Sequence, residues 1–200
     1  MKIVSKNQIE EVTKALLENK VVAFPTETVF GLAIVYDNLD AFNNLVALKK
    51  RSPDKPFSMM LSDVKELSSY GVLNENAKKI AHTFMPGEIT ILVNAKPLPT
   101  WVTLGTNVIG IRIPDDDFVR ELIRKVGKPL LVTSANISGQ KPLLNSDEVI
   151  STFKDDELLS ICVEGKCVST IPSTVVDVRD KIKVVRLGKI SEEDILKITK

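Results

Sequence analysis

Runs of apolar residues and interruptions by polar ones divide this chain into short strands and amphipathic helices. Val21–Phe24 are four consecutive apolar residues, expected as a buried strand, and they run straight into Pro25, Thr26, Glu27 and Thr28 before apolar character resumes. A plain turn would more often carry Gly, Asn or Asp. Two hydroxyls flanking a carboxylate at a strand end look like hydrogen-bonding groups set out for a ligand or a neighbour. Upstream, Ser5 and Gln8 form a capping-box pattern, and Ile9, Val12, Leu16 and Leu17 then share one helical face. Downstream, Phe42, Leu45, Val46 and Leu48 mark a second helix. Asp40 is its candidate N-cap, and the helix is expected to end before Pro53.

The same alternation continues to the end of the chain. "FSMML", "ITILVNA", "VIGIRI", "PLLVT", "LSICVEG", "TVVDV" and "KVVRLG" are expected strands. Residues 63–69 and 74–84, "DDFVRELIRKVG", "SDEVISTF" and "SEEDILKIT" are expected helices. A loop from Lys96 to Asn107 carries two prolines and Trp101. No repeat, low-complexity tract or linker interrupts the series. The expectation is therefore one α/β domain over residues 1–200, with a mixed sheet and ligands at the carboxyl ends of strands. "PTET", "SAN" and "RLG" fall at such ends.

Composition narrows the function classes. The 200 residues are 44% apolar and 26% charged, ordinary for a globular protein. A chain of this size buries roughly 70% of its unfolded surface without staples. A net charge of +1 gives no global case for nucleic acid or an anionic membrane, and few aromatics argue against a base-stacking platform. No apolar run near the start suggests a signal peptide and none approaches a membrane span, so the cytoplasm is the expected location. Cys162 and Cys167 are not spaced as a CxxC pair and are expected as free thiols. There is no GxxxxGK[ST], GxGxxG, HExxH or GxSxG. His82 is the one histidine and lies in an expected helix, which disfavours a Ser-His-Asp hydrolase.

What remains is a scattered set of cations, hydroxyls and amides. "KKRSPDKPFS" holds Lys49, Lys50, Arg51 and Lys55 at a helix end, which alone reads as a solvated terminus favoured by the helix dipole. "TSANISG" alone reads as a polar turn, and Ser173 and Thr174 as an ordinary strand start. Arg186 and Gly188 end a strand where an anion could bind. Together these groups could serve one phosphate-bearing ligand.

In order and spacing, "PTETVFGL", "KKRSPDKPFS", "IRIPDD", "SANISGQKP", "PSTVVD" and "VVRLG" resemble the YrdC/TsaC family over nearly the whole chain. The resemblance implies a twisted mixed α/β sheet flanked by helices around a concave, positively lined site, in a stand-alone form. It implies a threonylcarbamoyl-adenylate synthase, a nucleotidyltransferase that takes L-threonine, bicarbonate and ATP and releases pyrophosphate. Its product would feed threonylcarbamoyladenosine formation on tRNA, through downstream transferase proteins. A Mg²⁺ ion bridging the ATP phosphates is implied, held mostly by water and phosphate oxygens. The family also brings tRNA or double-stranded RNA as a candidate partner.

Carried over by residue, Lys49 and Arg51 would face phosphate and act catalytically. Arg51, Lys55, Val108, Asn136, Leu144 and Arg186 would lie on the ATP side. Thr28, Met60, Arg112, Ser134 and Ser173 would bind threonine, with Arg112 on its carboxylate. Glu27 has no clear ligand role; orienting a cation or the turn suits it equally. Met60 and Asp116 stand where relatives often have His, Leu144 replaces a usual Ser or Thr, and Pro172 precedes Ser173 where an acid is common. Two other readings stay open. One is a degenerate paralogue that binds nucleotide or RNA without this activity. The other is an RNA-binding module, which a steep loss of RNA affinity with salt would reveal.

Overall fold

The protein is described by a computed structural model covering residues 1–52 and 56–199. Strands are β1 (Lys2–Val4), β2 (Val21–Phe24), β3 (Gly31–Val35), β4 (Ser58–Met60), β5 (Gly71–Val72), β6 (Ile89–Ala95), β7 (Val108–Arg112), β8 (Leu130–Ser134), β9 (Leu159–Val163), β10 (Thr174–Asp177) and β11 (Lys183–Arg186). Helices are α1 (Ile9–Leu17), α2 (Leu39–Lys49), α3 (Leu67–Tyr70), α4 (Glu75–Phe84), α5 (Thr100–Thr103), α6 (Asp117–Val126), α7 (Ser146–Phe153) and α8 (Glu192–Thr199). The strands form one sheet in the order β1-β9-β2-β3-β8-β4-β7-β6-β10-β11, with β5 beside β6. Pairings are mixed: β2 lies parallel to β9, β4 to β7 and β6 to β10, while β3 is antiparallel to both β2 and β8.

Strand periodicity divides the buried side chains between two cores. Val21 and Ala23 of β2, Leu32 and Ile34 of β3, and Ile109 and Ile111 of β7 join the larger one, with residues from α2, α4, α7 and α8. Val22, Phe24, Ala33 and Val35 face the other way and meet Val12 and Leu16 of α1 and Val119, Leu122 and Ile123 of α6. Helices α1 and α6 pack on each other and shield that second face over β2 and β3. Over β4, β7 and β6 the same face carries Ser58, Gly110 and Thr90, and it opens into a pocket.

Local signals account for most helix ends. The Ser5 N–H donates to Gln8 Oε1 at 3.0 Å ahead of α1. Asp116 caps α6, and Gly127 ends it at φ +71°, a left-handed position that suits glycine. The expected cap at Asp40 is corrected to Asn38, whose side chain accepts from the Ala41 N–H at 2.8 Å. An Asx cap bonds the N–H three positions on, and Asn38 is the residue standing three before Ala41. The stretch expected as a helix from 63 to 69 is a 3₁₀ turn (Val64–Glu66) followed by α3. The 96–107 loop contains α5, anchored by Trp101 Nε1 donating to the Tyr36 carbonyl at 3.3 Å. Cys162 and Cys167 are free and buried. Among the described residues no helix is long and apolar enough to cross a membrane.

Candidate active site

The pocket measures about 390 Å³, within the range of small-molecule sites. Its floor is the uncovered half of the second sheet face. Alternate residues reach it from each strand: Ser58 and Met60 of β4, Thr90 and Leu92 of β6, Gly110 and Arg112 of β7, and Val132 and Ser134 of β8. Small residues are required at the centre. A Cβ on Gly110 would stand 3.1 Å from Leu92 Cδ2 and 3.3 Å from Thr90 Cγ2. The site therefore lies across the sheet as well as at strand ends.

The Pro25–Thr28 turn forms one wall. Thr26 and Thr28 line the pocket with their hydroxyls 2.9 Å apart, and Thr26 Oγ1 also donates to the Val29 carbonyl at 2.8 Å. Glu27 points behind the wall instead. Its Oε1 accepts from Arg112 Nη2 and from the Asp115 N–H, each at 2.7 Å. This pair is almost wholly buried, with side chains 11% and 5% exposed. A buried ion pair of this kind needs such extra donors to offset the loss of hydration.

The "KKR" run is not a solvated helix end. Lys50 adopts a left-handed conformation, φ 48° and ψ 43°, that closes α2 and turns the chain. Lys50 is exposed, while Lys49 is 1% exposed and Arg51 half-buried. Lys49 Nζ donates to the Ser134 carbonyl (2.5 Å), the Asn136 carbonyl (3.0 Å) and Asn136 Oδ1 (2.9 Å). It thus ties the end of α2 to the "SAN" turn after β8. Burial, seconded by the neighbouring charge of Arg51, pulls Lys49 down to about 7. Arg51 lines the pocket, lies over the Phe57 ring at 5.0 Å and donates to the Pro56 carbonyl at 3.1 Å.

Opposite, Arg186 at the pocket rim donates to the Ser173 carbonyl from Nε (3.1 Å) and Nη2 (2.9 Å). Desolvation first, and the charge of Arg112 second, lower its proton affinity, so the two guanidiniums sense each other. The Ser173 hydroxyl lies 2.9 Å from Thr90 Oγ1. Gly188 permits this crowding: a Cβ there would fall 2.4 Å from the Pro172 carbonyl oxygen.

Of the residues marked from the sequence, Thr28, Arg51, Met60, Arg112, Ser134, Asn136, Ser173 and Arg186 line this one pocket. Lys49 lies behind it. Val108 shares the face of Gly110 and Arg112 but sits one step beyond the lining, and Leu144 is also outside it. The Leu144 N–H is bonded to Glu148 Oε2 at 2.8 Å. Lys55 lies outside the described residues. No residue of the 96–107 segment lines the pocket, and His82 is exposed on α4. Thr90, Leu92 and Gly110 were missed, although period-2 reading of "ITILVNA" and "VIGIRI" sets Thr90 and Leu92, and Gly110 and Arg112, on faces opposite the isoleucines.

No Asp or Glu is among the described residues lining the pocket, and no described group of three or more His, Cys, Asp or Glu is arranged to hold a metal ion. The lining instead offers three guanidiniums, several hydroxyls and one side-chain amide pair, Asn136 and Gln140. Such a set suits a ligand bearing carboxylate and phosphate.

Comparison with known proteins agrees. A threonylcarbamoyl-AMP synthase of Bacillus subtilis (strain 168) is 36% identical over 192 residues, 94% of this chain and 55% of that protein. One from Serratia proteamaculans (strain 568) is 37% identical over 143 residues, 70% of this chain and 76% of that protein. The crystal structure of P. abyssi Sua5 complexed with L-threonine superposes with a TM-score of 0.93 at 25% identity, covering 99% of this chain and 61% of that one. The chain thus spans little more than half the length of two of these proteins. The family model for the Sua5/YciO/YrdC domain, described as "Telomere recombination", matches residues 14–188, and this chain belongs to that family.

Proposed function

We propose that this chain is an L-threonylcarbamoyladenylate synthase acting in the cytoplasm, making threonylcarbamoyl-AMP and pyrophosphate from L-threonine, bicarbonate and ATP. The observation that carries this reading is the convergence of Arg51, Arg112 and Arg186 on one pocket whose described lining holds no carboxylate. The amine of threonine attacks the carbon of bicarbonate, water leaves, and a carbamate forms. A carbamate oxygen then attacks the α-phosphorus of ATP, and the bond to pyrophosphate breaks. Such a transfer depends on positioning and charge stabilisation and needs no protein nucleophile.

Arg112 holds the threonine carboxylate, with Thr28, Ser134, Ser173 and Met60 around the amino acid. Arg51 forks onto phosphate, its plane steadied by Phe57. Asn136 takes the nucleotide side, and Arg186 reaches it from the boundary with the amino acid, where it is bonded to Ser173. Lys49 supports the site from behind by fixing the "SAN" turn. Mg²⁺ enters as part of the substrate, on the ATP phosphates, since the described lining of hydroxyls and guanidiniums offers it no cage. The product would be handed to transferase proteins that modify tRNA, and tRNA itself is a further partner to test.

The test is to incubate the purified protein with ATP, bicarbonate and labelled threonine. Pyrophosphate release should require threonine and bicarbonate together, with labelled adenylate accumulating. Release that is indifferent to omission of either would overturn this function.

A further inference from the structure

The pocket must hold a single carboxylate beside a polyanion. Arg112 and Arg186 both face it and sense each other's charge. Two close cations would make a good seat for sulfate, phosphate or the phosphate tail of a nucleotide. Glu27 changes that balance from outside the lining. Its Oε1 binds Arg112 Nη2 and the Asp115 N–H, each at 2.7 Å. Its Oε2 is buried without a hydrogen-bond partner among the described residues, so Arg112 and the Asp115 N–H are the donors that face its charge. With Arg112, Arg186 and Glu27 taken together, the local charge is +1, which one carboxylate neutralises.

Resting on the synthase reading above, we propose that Glu27 is a specificity-determining residue: it limits the charge of the amino-acid end of the pocket so that a monocarboxylate is accepted and dianions are refused. It does so through Arg112, without touching the ligand. Its sequence position between two pocket-lining threonines is what gives it this reach. Thr26 and Thr28 turn inward, and the residue between them points to the back of Arg112.

Inorganic sulfate is the probe. Its inhibition constant against threonine is measured at saturating MgATP in the wild type, Glu27→Gln and Glu27→Asp. Glu27→Gln keeps an acceptor oxygen for Arg112 and Asp115 and removes the charge. Sulfate should bind about ten times more tightly there and compete with threonine, as expected from one unit charge removed at a distance of several ångströms. Glu27→Asp keeps the charge and should stay near the wild-type constant even where its melting temperature falls. A residue that is merely structural would not tighten anion binding when replaced.

Sulfate inhibition unchanged in Glu27→Gln, or tightened equally in Glu27→Asp, would overturn the inference. Should Glu27→Gln not fold, the wild type reads the same balance: at saturating MgATP, sulfate should compete with threonine no more tightly than formate, and clearly tighter competition by sulfate would sink the idea. Failure of the synthase reading is separately visible, because the wild type would then make no threonine-dependent adenylate.

Discussion

Lys49 and Arg112 are buried cations 1% and 4% exposed; Arg112 lines the pocket, and Lys49 stands behind it, bonded to the turn that carries Ser134 and Asn136. The protein completes the hydrogen bonding of Lys49: three oxygens, from Ser134 and Asn136, surround its ammonium. Arg112 is treated differently. Glu27 takes one of its N–H groups, Nε has no partner among the described residues, and the side chain still contributes to the pocket lining. A compact ammonium with three donors can be satisfied by one turn of backbone, and then serves to hold that turn. A guanidinium with five donors in a plane can be gripped from behind and still present a fork in front. The difference separates a cation that builds the site from one that remains available to a ligand.

The largest expected effect breaks the Arg112 side. Arg112→Ala would leave Glu27 as a buried carboxylate without its cation, and such losses cost about 3–5 kcal/mol of stability. Threonine saturation of adenylate formation should disappear, while ATP binding followed by titration should persist. Adding Glu27→Ala to this variant should restore part of the melting temperature but none of the threonine dependence. Recovery of both would mean that Arg112 serves the fold alone.

A smaller effect is expected on the Lys49 side. Lys49→Met keeps the buried volume but leaves the oxygens of the "SAN" turn without their donor, at about 1–3 kcal/mol. Activity should fall for both substrates together, because the turn carries Ser134 and Asn136. The pH dependence gives a second reading. Burial first, and Arg51 second, lower Lys49 to about 7 in the folded protein, below its unfolded value of roughly 10.4. Between those values the unfolded chain binds more protons, so this residue's contribution makes stability rise with pH across that window. Denaturant titrations from pH 7 to 10 should show that slope in the wild type and a shallower one in Lys49→Met. Equal slopes would remove Lys49 as the source.

The two sides were unequally legible in the sequence. Helix α6 and strands β2, β6 and β8 could be read from caps and periodicity because the forces that make them are local. Strand β1 could not, since a three-residue edge strand with one buried side chain leaves no pattern. Strand β3 was visible only as renewed apolar character after the turn, with Gly31 in its first position. Within the site, the hydroxyls and arginines were found by type and place. The burial of Lys49 was not, because the left-handed turn at Lys50 that separates it from solvent has no glycine to announce it. The role of Glu27 was open for a different reason. Its partner is 85 positions away, and only the sheet order brings β2 and β7 to the same pocket.

The smallest effect sharpens the contrast within the Arg112 side itself. Thr90 is 2% exposed on β6, and its hydroxyl lies 2.9 Å from that of Ser173, which also accepts from Arg186 Nη2 at 3.2 Å. If two partners together orient the Ser173 hydroxyl, Thr90→Val should weaken that orientation without removing it. The loss of one neutral hydrogen bond is worth about 1 kcal/mol, or roughly fivefold in the threonine KM. The ATP KM should hold, because Thr90 belongs to the sheet floor and its hydroxyl is bonded to Ser173 on the amino-acid side. Stability should change little or rise slightly, since valine has the same shape and suits a strand. Thr90→Ser keeps the hydroxyl and should behave as the wild type in threonine KM. An unchanged KM in Thr90→Val would leave Arg186 alone as the residue that aims Ser173. The β11 end of the pocket would then determine amino-acid binding, with the sheet floor giving shape only.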